Sequence, residues 1–196
     1  MKILFLDNDG VICLSNNWGG RTKKFKKYRK LHPEATSWSQ VDVLHRFDDF
    51  DKKAVKVLND ILILTGAEIV VSSDWKKHAT LEELGVYYNS QGIVKRPIAF
   101  TPSYIGCDKP EDFSWSFSMR YEQERALEIA QYVKDHPEIT HWVAVDDLDM
   151  RYDIIWTDGT EDINPWGLKN FVYTAIMSEG IKQAGKKEKI IKFLMD

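Results

Sequence analysis

Short apolar runs alternate along the chain with longer stretches in which apolar residues recur every three or four positions. The runs have the length of buried strands, and four are predicted: 2–6, 68–72, 97–101 and 141–145. The longer stretches have the spacing of amphipathic helices, and three are predicted: 51–64, 80–85 and 121–134. This alternation favours an α/β fold with a doubly wound, mainly parallel sheet, here as one domain covering residues 1–196.

Capping residues define the ends of two predicted helices. Asp51 is a favoured N-cap, and Gly66 lies just past the end of the helix that it would begin. Thr80 and Glu83 have the spacing of a capping box at the start of the next helix. Gly85 is expected to end that helix after little more than one turn.

Polar residues follow three of the predicted strands at the position where each strand ends. The first strand runs into Asp7-Asn8-Asp9-Gly10, the second into Ser72-Ser73-Asp74-Trp75, and a later one into Asp146-Asp147. Each stretch taken alone is also compatible with an ordinary polar turn. The carboxyl ends of parallel strands meet at one edge of the sheet, however, where open α/β sheets bind ligands. Together the three stretches predict a functional site at that edge.

Asp7 and Asp9 are the leading candidates for chemistry. Two carboxylates this close repel each other unless a cation or a proton lies between them. A hard divalent cation with oxygen ligands meets that need, and Mg²⁺ is the expected ion. One of the two aspartates is then able to attack a substrate while the other transfers protons.

Composition and net charge make some classes of protein less consistent with this sequence than others. The 196 residues are 43% apolar and 29% charged, which is ordinary for a globular protein. A formal net charge of -3 disfavours a protein that coats nucleic acid but leaves room for a local basic patch. Cys13 and Cys107 lack the spacing of a zinc site, so we expect reduced thiols. Without a signal-peptide pattern or an apolar run of ~20 residues, the expectation is a soluble, cytoplasmic monomer with no membrane partner.

The segment 13–47 looks like an insertion over the end of the first strand. Its basic residues surround Phe25 and Tyr28, a mixture that suits a phosphate backbone and stacked bases. The candidate nucleic-acid contacts are Lys23, Lys24, Lys27, Arg29 and Lys30. An equally good alternative is a solvated basic helix whose Phe25, Tyr28 and Leu31 pack on the domain.

A second irregular segment, 102–119, is rich in aromatic residues and proline. Loops of this length without secondary structure are usually functional or mobile. Trp115 in this loop, like Trp18 and Trp38 in the first segment, is either a core residue or a stacking residue.

With these motifs assembled, the chain resembles members of the haloacid dehalogenase (HAD) superfamily. The likeness is greatest to the HAD domains of Swiss Army Knife RNA-repair proteins and to related stand-alone phage and bacterial proteins. The matching motifs are Asp7-Asn8-Asp9-Gly10, Ser72-Ser73-Asp74-Trp75-Lys76, Arg125-Ala126-Leu127-Glu128-Ile129 and Asp146-Asp147, with a closing pattern at Thr157-Asp158 and Gly167-Leu168. Arg125 stands where the superfamily more often has lysine. The segments 13–47 and 102–119 stand where the superfamily carries cap and substrate loops.

The resemblance implies a Rossmann-like fold and a role for each motif. Asp7 would be the nucleophile, and Asp9 would be the general acid and base. Mg²⁺ would bind the Asp7 carboxylate, the Asp9 backbone carbonyl and Asp147, while Asp146 would either join the metal ligands or orient the basic residue. The groups that would hold phosphate oxygens are Ser72, Ser73 and Arg125.

The function that this resemblance implies is Mg²⁺-dependent phosphate hydrolysis through an aspartyl-phosphate. The expected substrate is a nucleotide or a terminal phosphate of RNA or DNA. Two alternatives stay open: a phosphatase of small metabolites, and a protein that binds phosphate or nucleic acid with little turnover. The chain has no GxxxxGK[ST] motif, which disfavours a kinase activity within it.

Overall fold

The computed structural model describes residues 1–107, 121–151 and 167–196, together with the backbone of 153–155 and 161–163. Its strands are β1 (Lys2–Leu6), β2 (Glu68–Val71), β3 (Ala99–Phe100), β4 (His141–Asp146), β5 (Asp153–Ile155), β6 (Glu161–Ile163) and β7 (Phe171–Tyr173). Its α-helices are α1 (Gly20–Leu31), α2 (Lys52–Thr65), α3 (Leu81–Ser90), α4 (Tyr121–Asp135) and α5 (Lys186–Met195).

The main sheet has five parallel strands in the order β3-β2-β1-β4-β7. In its register, Leu4 of β1 lies between Ile69 of β2 and Val143 of β4. The chain leaves β1 toward β2 and β3 and later returns to the other side of β1 with β4. The strand order therefore reverses beside β1, which is the place where open α/β sheets bind ligands. Strands β5 and β6 form a separate antiparallel pair.

Both faces of the sheet are covered, because successive side chains of a strand point to opposite faces. Leu4 and Leu6 of β1 belong to a core shared with α2, α3 and α5. Ile3 and Phe5 belong to the second core, which α4 covers through Ala126, Ile129 and Tyr132. This arrangement confirms the predicted α/β fold with a doubly wound, mainly parallel sheet.

Helix α2 follows its sequence signals closely. The Asp51 carboxylate accepts hydrogen bonds from the backbone N–H groups of Lys53 and Ala54 over 3.0 and 2.8 Å. Gly66, with a φ of 72°, takes the left-handed conformation that ends many helices. The predicted start and end are therefore both confirmed.

Helix α3 corrects the expectation that Gly85 ends the helix. The Thr80–Glu83 capping box forms as predicted, but the helix continues to Ser90. Gly85 lies inside the helix against the side chain of Arg96, whose Cδ would be 3.2 Å from a Cβ at this position. The glycine therefore makes room for a neighbouring side chain, and the buried Leu84, Tyr87 and Tyr88 hold the helix together.

Several elements differ from the pattern-based prediction. Strand β3 has only two residues, and β4 extends by one residue so that Asp146 ends it. Strands β5, β6 and β7 were not predicted, because each has only three residues. Helix α5 was not predicted either, since its first four residues are all charged and its apolar residues come after them. In α5, only Ile190 and Leu194 are fully buried.

The segment 13–47 is not irregular throughout, since it contains α1. Arg46 attaches the end of this segment to α3 by pairing with both carboxylate oxygens of Glu83, at 3.0 and 2.6 Å. The buried carboxylate of Asp48 accepts hydrogen bonds from the backbone N–H groups of Gly19 and Arg21, at the start of α1. The segment is thus fastened to the domain at the start of its helix and at its own C-terminal end.

Some predicted features lie outside the described residues. They are the part of the second segment at 108–119, with Trp115, and the Thr157-Asp158 part of the closing pattern. In the part of the chain that the structure describes, none of the helices has both the length and the apolar character needed to cross a bilayer.

Candidate active site

Asp7, Asp146 and Asp147 meet at the sheet edge where the strand order reverses. Asp7 follows β1, Asp146 ends β4, and the two strands are hydrogen-bonded neighbours. Each of the three residues offers a carboxylate oxygen within 4.8 Å of the others. Sequence motifs about 140 positions apart therefore form one cluster, because adjacent parallel strands end side by side.

Arg125 connects this cluster to the end of β2. Its Nη1 donates to Oδ1 of Asp7 over 3.2 Å and to Oδ2 of Asp146 over 3.0 Å, and it also donates to the backbone carbonyl of Ser72. The guanidinium is buried. Arg125 lies in the second turn of α4 rather than at its start. One cation is thus shared by groups from three strand ends.

The two serines after β2 have different environments. The Oγ atom of Ser72 is buried and has no hydrogen-bond partner among the described residues. The hydroxyl of Ser73 interacts with the Asp7 carboxylate and accepts from the backbone N–H of Trp75 over 3.5 Å. Ser72 therefore has an unused polar group at the site, whereas Ser73 supports Asp7 and the turn that follows.

Asp9 is held by an aromatic side chain from the second motif. The indole Nε1 of Trp75 donates a hydrogen bond to Oδ2 of Asp9 over 2.8 Å. Trp75 is fixed by stacking on Phe47 of the first segment, with ring centroids 4.1 Å apart and planes inclined by 9°. Because an indole N–H only donates, Oδ2 is an acceptor here, and Asp9 also interacts with the thiol of Cys13.

The loop between Asp7 and Asp9 is tightly folded. The backbone carbonyl of Asn8 accepts from three successive N–H groups, and its side-chain oxygen accepts from the buried Tyr88 hydroxyl over 2.6 Å. Gly10 has a φ of 68°, and a Cβ there would lie 2.2 Å from Oδ2 of Asp147. The glycine is needed both for the turn and for the close approach of Asp147.

The acidic residues of the site have raised pKa values because they are buried close together. Burial raises the pKa of Asp7 well above its usual range, and the nearby Asp146 raises it further. Burial also raises the pKa of Asp146, to about 7, against the opposing effect of Arg125. The pKa values of Asp147 and Asp9 are raised mainly by burial as well. A cation among these groups would favour their ionised forms.

The donor set fits Mg²⁺, which prefers carboxylate and carbonyl oxygens. Asp146 already uses both its oxygens, since Oδ2 accepts from Arg125 and Oδ1 accepts from the backbone N–H of Leu148 over 2.9 Å. Asp7 and Asp147 are the better placed carboxylates for an ion. Asp146 is correspondingly suited to orienting Arg125.

The predicted nucleic-acid contacts divide into two groups. Lys23, Lys27, Arg29 and Lys30 lie exposed on α1. Lys24 differs from these four, because its Nζ donates to the Phe47 carbonyl over 3.1 Å and pairs with Asp49 at 2.5 Å. Lys24 thus helps to attach α1 to the domain.

The aromatic residues of α1 pack within the first segment. Phe25 stacks on Trp38, with ring centroids 5.0 Å apart, and Tyr28 contacts His32 and His45. Leu31 does not pack on the domain, since 72% of it is exposed. Phe25 and Tyr28 therefore pack on other residues of the segment 13–47, and Leu31 does not pack on the domain.

Sequence reasoning missed three side chains around the site. The Trp75 indole contacts Asp9, the Tyr121 hydroxyl donates to Asp74, and Arg21 lies close enough to Asp9 to lower its pKa. One signal was available, because Tyr121 precedes Arg125 by four positions and shares its helix face. Arg125 lies over the Tyr121 ring, 5.5 Å from its centroid.

Comparison with known proteins gives one family. The family model described as "HAD domain in Swiss Army Knife RNA repair proteins" matches residues 3–174, which covers the strands and the clustered motifs of the site. Neither the curated proteins nor the solved structures contain a match. From the extent of the family match and the joining of its motifs at one sheet edge, the chain belongs to this family of HAD domains.

Proposed function

We propose that this protein is a Mg²⁺-dependent phosphomonoesterase that uses Asp7 as its nucleophile. Membership of the HAD family supports phosphatase-type hydrolysis in general. The observation that carries the specific proposal is the position of Arg125, whose Nη1 lies 3.2 Å from Oδ1 of Asp7. A nucleophilic carboxylate beside a buried cation is suited to an electrophile that carries negative charge.

In the first step, a carboxylate oxygen of Asp7 attacks phosphorus as the bond from phosphorus to the leaving oxygen breaks. Asp9 gives its proton to that oxygen, so the product leaves as an alcohol. The raised pKa of Asp9, caused mainly by burial, suits a group that must begin this step protonated. Trp75 holds one oxygen of Asp9 and so fixes the orientation of the carboxyl group.

In the second step, water hydrolyses the aspartyl-phosphate. Asp9, now ionised, takes a proton from the water as the water oxygen attacks phosphorus. The bond between phosphorus and the Asp7 oxygen breaks, which releases inorganic phosphate and restores the Asp7 carboxylate. Asp9 regains its proton in the same step, so the site is ready for another turnover.

The charge that spreads over the phosphoryl oxygens needs electrostatic stabilisation. Arg125 supplies a fixed positive charge, and the unpartnered Oγ of Ser72 supplies a hydrogen-bond donor. Ser73 is a second donor beside Asp7. Mg²⁺, held by Asp7, the Asp9 backbone carbonyl and Asp147, would add positive charge at the same oxygens.

The proposed substrate is a nucleotide or a terminal phosphate of RNA or DNA. The matched family is described by its occurrence in RNA repair proteins, which supports nucleic acid as the substrate class. The exposed cations Lys23, Lys27, Arg29 and Lys30 on α1 add attraction for a phosphate backbone. Lys24 is not included, because it is paired with Asp49.

The test is phosphate release, with and without Mg²⁺, from three substrate classes. These are glycerol phosphate, nucleoside 3′- and 5′-monophosphates, and oligonucleotides phosphorylated at either end. Preference for oligonucleotide ends, with a KM that rises steeply with salt, would support the nucleic-acid proposal. Activity on glycerol phosphate alone would contradict that substrate class, and Mg²⁺-independent turnover would contradict the proposed mechanism.

A further inference from the structure

A pocket of about 490 Å³ lies beside the candidate active site, between the start of α4 and the loop after β3. Arg125 is part of its lining. The same guanidinium contacts Asp7, so the pocket adjoins the position where a phosphoryl group would react. A substrate that places its phosphate at Asp7 therefore has space for its remaining part in this pocket.

The lining of the pocket combines aromatic and apolar side chains with polar and charged ones. The aromatic and apolar ones are Phe100, Tyr104, Ile105 and Tyr121. Ile105 is 74% exposed and Tyr121 is 42% exposed, so this surface presents large apolar groups to solvent beside a charged site. Flat aromatic side chains of this kind bind nucleobases by stacking, with little dependence on base identity.

Part of the pocket lining is held in place by a buried ion pair. Nζ of Lys76 lies 2.6 Å from Oε2 of Glu128 and donates to Oγ1 of Thr101 over 3.0 Å. The other Glu128 oxygen accepts from the backbone N–H of Tyr104 over 3.1 Å. The loop that carries Tyr104 and Ile105 is therefore fixed before a ligand arrives, which lowers the entropic cost of binding.

The mouth of the pocket carries both hydrogen-bonding groups and charge. Asp74 accepts from the Tyr121 hydroxyl, pairs with Lys77 at 2.8 Å and lies 3.8 Å from Nη2 of Arg125. The Tyr104 hydroxyl interacts with the Glu124 carboxylate. Donors and acceptors around an aromatic surface match a nucleoside better than they match an aliphatic alcohol.

We propose that this pocket binds the nucleoside part of the substrate, with the base packed against Tyr104, Phe100 and Ile105. The inference rests on the proposed function, since it assumes that the phosphate lies at Asp7. A volume of about 490 Å³ falls in the range of small-molecule sites and accommodates one nucleoside. The pocket would then make the protein select a nucleotide, or the last nucleotide of a strand, over a small phosphorylated metabolite.

The test compares Tyr104→Ala with Tyr28→Ala, a matched control on α1 outside the pocket. KM and kcat are measured for adenosine 5′- and 3′-monophosphate and for glycerol phosphate, which lacks a base. Tyr104→Ala is expected to raise KM for the better nucleotide by about tenfold, from the loss of one stacking partner. The kinetics of Tyr104→Ala with glycerol phosphate should match those of the wild type. Tyr28→Ala should match the wild type with all three substrates.

An equal rise in KM for the nucleotide and for glycerol phosphate, or a rise confined to Tyr28→Ala, would overturn the pocket proposal. Because Tyr104→Ala could disturb the loop, Ile105→Gln provides a second variant at an exposed wall position and should also raise KM for the nucleotide only. The dissociation constant of adenosine monophosphate is measured by calorimetry for the same variants. If no substrate is hydrolysed, the proposed function fails, and calorimetry alone decides the pocket: weaker binding in Tyr104→Ala supports it, and unchanged binding overturns it.

Discussion

The indole Nε1 of Trp75 donates a hydrogen bond to Oδ2 of Asp9 over 2.8 Å, across 66 positions of sequence. Trp75 is itself stacked on Phe47 and Phe50, at centroid distances of 4.1 and 5.5 Å. The segment 13–47, through Phe47, and the motif that contains Trp75 therefore meet beside Asp9, the proposed acid and base. In this role Trp75 positions Asp9 without touching the substrate.

Trp75→Phe should preserve the stacking and remove the hydrogen bond. We expect kcat to fall about tenfold with little change in KM, because a misplaced general acid affects the reaction more than binding. The hydrogen bond lowers the pKa of Asp9, so its loss should also shift the limb of the pH profile governed by Asp9 to higher pH. Steady-state kinetics from pH 4 to 9 would measure both effects. Trp38→Phe, which keeps its stacking on Phe25, is the control, and an unchanged kcat and profile in Trp75→Phe would contradict this role.

The acidic cluster should make the metal-free protein less stable as pH rises. Burial raises the pKa of Asp146 from 3.8 to about 7, so the folded state holds a proton that the unfolded state has lost between these values. The free energy of unfolding then falls with pH across this window and levels off above it. Asp7→Asn removes one of the repelling charges and should raise the free energy of unfolding at pH 8 by at least about 1 kcal/mol. Urea denaturation in a chelator would measure this, and a less stable variant would refute it.

Mg²⁺ should stabilise the wild type, and more strongly at pH 8 than at pH 5. At the lower pH, protons compete with the ion for the carboxylates. Asp147→Asn should abolish the Mg²⁺-dependent rise in melting temperature, whereas Asp146→Asn should retain most of it and lose turnover through Arg125. Thermal melts with added Mg²⁺ or chelator distinguish the two variants. The reverse result would exchange the roles given to Asp146 and Asp147.

Gly10→Ala tests the close approach between the Asp7-Asn8-Asp9-Gly10 loop and Asp147. Gly10 and Gly66 both have positive φ values, of 68° and 72°, so alanine strains both backbones by about 1–2 kcal/mol. Only at Gly10 would the new Cβ meet Asp147, at 2.2 Å, while nothing lies within 4 Å at Gly66. Gly66→Ala should therefore lose stability and keep activity, and Gly10→Ala should lose at least tenfold in kcat/KM as well. Equal activity in the two variants would show that Asp147 is not displaced.

The positions of Asp7, Asp146 and Ser72 could be predicted because the geometry of a parallel sheet controls them. Each residue follows an apolar run, and parallel strands deliver their carboxyl ends to one edge. Helix α2 was predictable for a similarly local reason, since Asp51 and Gly66 act within one turn of their own positions.

Features that depend on packing between residues far apart in the sequence could not be predicted from local patterns. Gly85 has the sequence signal of a helix end, but Arg96 packs against it and the helix continues. Among the basic residues of α1, Lys24 pairs with Asp49, and the sequence pattern did not distinguish it from its exposed neighbours. The contact of Trp75 with Asp9 depends on Phe47, which comes from a segment with no strong periodicity of its own. Local patterns carry no information about such partners.

The proposed mechanism depends on phosphorylation of Asp7 during turnover. Rapid acid quenching of the enzyme mixed with Mg²⁺ and its best substrate, followed by mass spectrometry of the peptide that contains Asp7, measures this step. A phosphoryl adduct is expected on Asp7 in the wild type and in Asp149→Asn, a control carboxylate paired with Arg151 at 2.6 Å. Neither an adduct nor phosphate release is expected in Asp7→Asn. An adduct on another residue, or undiminished phosphate release by Asp7→Asn, would show that Asp7 is not the nucleophile.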